Sequence, residues 1–156
     1  MSHSDPAQAF FERLEGLDAA GRARLKRNAG NSLAESRGVL GLFYSLLPPD
    51  VPAYQEETFF LVATLYPLAE GGNQGNLGAA LHRARTKDNA KGLDRRVEIL
   101  LDADEAQLSF RLRQAIHFLH SNRVRVNWPS LLQDLLRWNA PKRFVQQRWA
   151  RSYFVD

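Results

Sequence analysis

Residues 56–67 read EETFFLVATLYP, and the run Phe59-Phe60-Leu61-Val62-Ala63-Thr64-Leu65-Tyr66 within them decides the fold. Drawn as a helix, this run is apolar on every side, and a helix that is apolar all round is a buried one. It predicts a central helix that starts near Ala53 and is kinked or ended at Pro67. The run is far shorter than the ~20 residues a membrane-spanning helix needs.

Outward from this segment the chain carries helix punctuation and almost no strand signal. Asp5-Pro6 caps a helix to about Leu14, stopped by Gly16, and Asp18 caps a second through Leu25 to Ala29, ended by Gly30. Ser32 and Glu35 have capping-box spacing. Behind them Val39, Leu40, Leu42, Phe43, Leu46 and Leu47 form a wide helical stripe that Pro48-Pro49 closes. On the other side, Glu70–Gly75 reads as a loop and Asn76 caps a short helix, Leu77 to Arg85. Thr86–Gly92 reads as a mobile polar segment, and Leu93–Leu101 as a helix. Asp104 and Gln107 open a longer helix with Leu108, Leu112, Ala115, Ile116 and Leu119 on one face and Arg113 and His117 opposite. Arg123–Val126 alternates over too few residues for a sheet. Asn127-Trp128-Pro129 starts a helix carrying Leu131, Leu132, Leu135 and Leu136, Ala140-Pro141 breaks it, and the last helix holds Phe144, Val145, Trp149 and Tyr153. The expected fold is all-α, a bundle of about eight or nine helices. Residues 1–156 form a single helical domain, in which a change of charge near Ala103 suggests lobes 1–103 and 104–156.

The 156 residues contain no cysteine, which excludes a disulfide framework, a thiol nucleophile and an iron–sulfur cluster. The start, MSHSDPAQAF, has neither the basic nor the apolar region of a secretory signal. A cytoplasmic protein without membrane contact is expected. Charge is distributed unevenly. Residues 1–49 carry a net +1 and residues 50–105 a net −4, but residues 106–156 hold nine basic and two acidic side chains, a net +7. Most of the cations are Arg, whose planar fork suits phosphate. Such a balance points to an anionic partner, nucleic acid first, against the plainer reading of a solvated Arg-rich surface.

No catalytic constellation emerges, and no cofactor or metal is expected. The histidines are His3, His82, His117 and His120; only the last two share a helical face, without a carboxylate at zinc-site spacing. Glu56-Glu57 and Asp104-Glu105 sit in expected first helical turns, where the helix dipole accounts for them. The run GGNQGNLG, Gly71–Gly78, precedes a helix but lacks the Lys-Ser/Thr of a nucleotide P-loop. It reads as a loop, or as a contact for a phosphate backbone. Trp138 and Trp149 lie in apolar helices and read as core, while Trp128 is left between core and base stacking.

An ordered series of segments then carries a resemblance. It runs Leu25-Lys26-Arg27, Phe43-Tyr44 and Pro48; the central FFLVATLY; Gly75-Asn76-Leu77-Gly78 with Leu81 and Arg83; and Asp94-Arg95-Arg96 with Leu100-Leu101. It continues with Leu112-Arg113, Asn127-Trp128, Leu131-Leu132, Asp134-Leu135-Leu136, Trp138, and Val145-Gln146-Gln147-Arg148-Trp149-Ala150 with Tyr153-Phe154. In this series the chain resembles the CasB family, the small subunit of the type I-E CRISPR Cascade complex. Asn127 and Asn139 stand where Asp is expected in many relatives.

The resemblance implies a helical, non-enzymatic protein, present as two copies in the complex. Its members contact the large subunit and the backbone subunits that carry guide RNA, and help hold the displaced single DNA strand of the R-loop. The candidate nucleic-acid-binding residues are Lys26, Arg27, Arg83, Arg123, Arg125, Lys142 and Arg143. Arg95 and Arg96 are weighed instead against subunit contact or pairing with Asp102 or Glu98. The rival readings are a free-standing helix-turn-helix regulator, a small helical enzyme, and a pure scaffold whose arginines meet acidic protein surfaces.

Overall fold

The computed structural model describes residues 5–156; His3 lies outside them. Among the described residues there are nine α-helices and no strand, so the all-α expectation holds. They are α1 (Pro6–Glu15), α2 (Ala19–Arg27), α3 (Leu40–Leu46), α4 (Glu56–Leu65), α5 (Leu77–Ala84), α6 (Ala90–Leu101), α7 (Glu105–Ser121), α8 (Trp128–Leu136) and α9 (Phe144–Phe154). None is long and apolar enough to cross a membrane. The chain divides into two compact units, one ending at Pro67 and one starting at Leu68.

In the first unit α4 is the helix the others pack on. Its adjacent phenylalanines serve two neighbours: Phe59 meets Phe10 of α1 edge-on at 5.0 Å, and Phe60 meets Phe43 of α3 at 5.1 Å. Successive residues point about 100° apart around a helix, so one dipeptide can hold two partners. Both rings are buried, each burial worth roughly 1.5–3 kcal/mol. Thr64 is buried as well, and its hydroxyl donates to the Leu61 carbonyl at 3.0 Å. Asp5 and Asp18 cap α1 and α2 as expected, accepting from Ala7 and Gly21 N–H.

The Ser32–Glu35 box forms, but no helix follows it directly. Ser32 N–H donates to the Glu35 carboxylate at 2.9 Å and Glu35 N–H to the Ser32 hydroxyl at 3.2 Å, closing a turn. Gly38, at φ +66°, then takes the chain out of helical space. Buried Asn28 holds Arg37 through both its N–H and its carbonyl, and α3 starts only at Leu40.

In the second unit α9 lies against α5 at a crossing that leaves no room for a side chain. A Cβ on Gly78 would stand 2.8 Å from the Trp149 Cα and closer still to its carbonyl oxygen. The Trp149 indole donates to Asp134 of α8 at 2.8 Å and lies 5.1 Å from the Trp138 ring. Trp138 donates to the Ala103 carbonyl at 3.0 Å and Trp128 to the Ala69 carbonyl at 3.3 Å, so all three indoles are core. Asn139 donates its amide to Glu105, a bond an aspartate there could not make. Asn127 accepts from Ser130 N–H as the cap of α8.

Ala103, at the expected seam between lobes 1–103 and 104–156, is buried in the link between α6 and α7, with its carbonyl bound by Trp138. One expectation is corrected here. The start of the Thr86–Gly92 segment is pinned by hydrogen bonds. Thr86 and Asn89 exchange reciprocal bonds of 2.7 and 3.2 Å, and α6 begins at Ala90 instead of Leu93.

Replacing Gly78 by Ala is expected to lower stability by about 1–3 kcal/mol, because the clash is with backbone; urea unfolding with an unchanged m-value checks this. Asp134 titrates above its ordinary 3.8, chiefly because burial disfavours its charge. The folded state therefore holds this proton more tightly than the unfolded chain, and the associated stability, full below 3.8, is lost as pH rises through the raised value. Asp134→Asn keeps an acceptor for Trp149. It is expected to be more stable than the wild type at neutral pH, with the difference shrinking toward pH 4, as read by unfolding curves across that range.

Candidate nucleic-acid interface

The candidate cations occupy helix ends, where local geometry sets their direction. In α2, Leu25 is fully buried and turns the helix so that Lys26 and Arg27 lie exposed in the last turn. Cations there also complement the helix dipole. Their neighbours are engaged: Arg24 donates twice to the Gly38 carbonyl, at 2.8 and 3.1 Å, and Arg22 lies 5.9 Å from the Tyr66 ring centroid. Arg83 is exposed in the last turn of α5.

Arg123 follows the end of α7. Its N–H bonds the His120 carbonyl at 3.0 Å and Val124 N–H bonds the Leu119 carbonyl at 2.9 Å, the paired closure in which a glycine normally takes the left-handed position. Here that residue is Arg123, at φ +58°. Val126 N–H then donates to the Glu70 carbonyl and its own carbonyl accepts from Gly72 N–H, both at 2.9 Å. This parallel bridge ties the glycine loop to the Arg123–Val126 segment and sets Arg125 3.6 Å from the Glu70 carboxylate. Along α7, Arg113, His117 and His120 are exposed at spacings of four and three, a row that runs toward Arg123. No third metal ligand joins the two histidines among the described residues.

Ahead of α9 the chain turns through Pro141–Arg143, with Lys142 at φ +67° and Arg143 at φ +52°. Arg143 donates to the Leu101 carbonyl and lies 3.6 Å from Asp102. All three non-glycine residues in left-handed backbone among the described residues are therefore candidate cations. Burial of Val145, Trp149 and Tyr153 directs Arg148 and Arg151 outward on α9. Neither is among the candidates read from the sequence; the apolar spacing of the helix is the signal that exposes them.

Five of the seven candidates, Lys26, Arg27, Arg83, Arg123 and Lys142, have no carboxylate within 4.0 Å among the described residues. The basic end offers almost no local partner, since Asp134 is engaged by Trp149. Arg95 and Arg96 pair with neither Asp102 nor Glu98: Asp102 goes to Arg143. The strongest pair of the second unit lies outside the candidate set. Arg85 grips Asp94 with two bonds of 2.9 and 3.1 Å and Tyr153 donates to it at 2.6 Å; Arg85 foremost, then Tyr153, holds the Asp94 carboxyl below its usual range.

Residues 21–154 match the family model described as CRISPR-associated protein Cse2. The chain belongs to the Cse2 family. A CRISPR-associated protein Cse2 from Thermus thermophilus is 35% identical over 163 aligned positions, spanning 99% of this chain and 91% of the relative. Among solved structures, a Cse2-family protein of Thermus thermophilus is similar with a TM-score of 0.81 and 32% identity, covering 97% of this chain and 99% of the other. M. ruber CasB gives 0.80 and 30%, with coverages of 97% and 94%. A chain of a CRISPR RNA-guided surveillance complex, pre-nicking, gives 0.79 and 25%, with coverages of 95% and 91%. The resemblance to CasB read from the ordered segments is borne out, and the Cse2 fold extends over nearly all of this chain.

Arg123→Gly separates fold from charge. Relief of the left-handed arginine is expected to leave stability equal or raise it by up to about 1 kcal/mol, measured by urea unfolding, although a surface cation is lost. A clear loss of stability would mean that the arginine side chain is a structural element.

Proposed function

We propose that the chain is the non-enzymatic small subunit of a Cascade-type surveillance complex, and that its exposed cations hold the displaced DNA strand of the R-loop. The observation that carries this reading is the set of five exposed candidates without a carboxylate partner among the described residues. An R-loop exchanges one duplex for another of nearly equal stability, so modest protein contacts tip it. Those contacts have to be indifferent to sequence, and Lys and Arg directed at phosphate meet that requirement. Arg125 and Arg143 join the same surface role. Their pairs are 3.6 Å long and exposed, of a kind worth about 0–1 kcal/mol, so phosphate displaces them readily.

The partners in this reading are the displaced single strand near the guide RNA, the large subunit, the backbone subunits and a second copy of the chain, in the cytoplasm. A helix-turn-helix regulator is disfavoured because α8, the helix it needs for the DNA groove, buries Trp128, Leu131, Leu132 and Leu135.

Binding of a labelled single-stranded oligonucleotide by the chain, across a salt series, tests the electrostatic mechanism. Seven phosphate contacts are expected to give a log–log slope near about −4.9, and each Gln replacement among the seven to reduce it by roughly 0.7, whatever the oligonucleotide sequence. A strong preference for one duplex sequence would favour the regulator. In a reconstituted complex, Lys26→Glu with Arg27→Glu is expected to shorten R-loop lifetime at unchanged subunit composition; loss of assembly instead would favour the scaffold.

A further inference from the structure

A recess opens between α5, α6 and α7, on a different side of α7 from the basic row. Leu81 of α5, Leu93 and Leu100 of α6, and Ala115 and Phe118 of α7 make its apolar wall. Its polar lining is Arg96, Arg111 and Gln114. On α7 the lining residues Arg111, Gln114, Ala115 and Phe118 recur at helical spacing, while Arg113, His117 and His120 lie about half a turn away.

The arginines are not satisfied by the chain itself. The Nε of Arg111 is buried and has no acceptor. Its terminal nitrogen reaches the Gln114 amide oxygen only at 3.4 Å, and its guanidinium carbon lies 5.2 Å from the exposed Phe110 ring centroid. Arg96 is exposed and has no carboxylate within 4.0 Å among the described residues. A buried, ionised donor without an acceptor is unfavourable, and an incoming anion removes that penalty.

We propose that this recess docks another polypeptide, taking a leucine- or phenylalanine-type side chain against the wall and an adjacent carboxylate on Arg96 and Arg111. The planar forks of arginine match a carboxylate in two bonds. A nucleotide fits less well, because a buried base needs polar partners along its edge and the wall supplies one amide and one ring. The recess is small and open to solvent, which suits the end of one side chain better than a whole enclosed ligand. The chain thus presents an acid-reading protein pocket and a basic row on separate faces, and the pocket does not depend on the displaced-strand reading.

The test is titration of the full chain with N-acetyl-phenylalanine, followed through the arginine Nε–H resonances. Saturable shifts of Arg96 and Arg111 in about the millimolar range are expected. N-acetyl-phenylalaninamide, which lacks the carboxylate, is expected to bind about tenfold more weakly, as is the Arg96→Gln variant. Ala115→Phe, which fills the recess, is expected to abolish the shifts, and Arg113→Gln, on the other face, to leave them unchanged. Absence of saturable shifts, equal binding of the amide, or unchanged binding by Ala115→Phe would overturn the proposal. Tighter binding of thymidine monophosphate would replace the peptide by a nucleotide.

Discussion

Trp149 ties three helices of the second unit together. Its backbone lies against Gly78 of α5, its indole N–H is held by Asp134 of α8, and its ring meets Trp138 beyond the end of α8. None of these contacts tolerates rotation of α9, since the approach to Gly78 is set by backbone atoms. With the indole fixed inward, the opposite side of α9 faces solvent, and Arg148 and Arg151 go with it. The turn that feeds α9 is constrained from the same end, because Phe144 has to begin the helix directly after two left-handed residues.

A chain with a net +7 in its last third has to place those charges without local carboxylates. Burying an unpaired guanidinium is costly, so apart from the partly buried Arg111 these cations gather at helix ends and on outward faces. There Arg123, Lys142 and Arg143 occupy backbone that glycine would adopt at lower cost, of order 1 kcal/mol each. Glycine at these positions would favour the fold; arginine and lysine there place charge on the surface. That preference agrees with the anionic partner proposed for this surface.

Local signals were legible in the sequence. Asp5, Asp18, Asn76, Asp104 and Asn127 each cap the helix expected of them, because a capping bond spans only two or three residues. The Ser32–Glu35 pair misled because the same reciprocal bonds also close an isolated turn, and the positive φ of Gly38 decides between the two. Thr86 and Asn89 read as loop from their polarity, although that polarity is what locks them together. Partner choice was not legible. Asp102 turns to Arg143 and Glu70 to Arg125, pairs between residues distant in the chain. Nor was the left-handed backbone at Arg123, Lys142 and Arg143, since the usual mark of that conformation is glycine.

The central claim is that exposed cations of this chain hold the displaced strand, and chemical probing of that strand tests it most directly. Permanganate reactivity of its thymines is to be compared in complexes reconstituted with the wild-type chain and with a variant carrying Gln at Lys26, Arg27, Arg83, Arg123 and Lys142. Protection with the wild type and its loss with the variant, at equal subunit stoichiometry, is the expected result. Equal reactivity in the two complexes would contradict it.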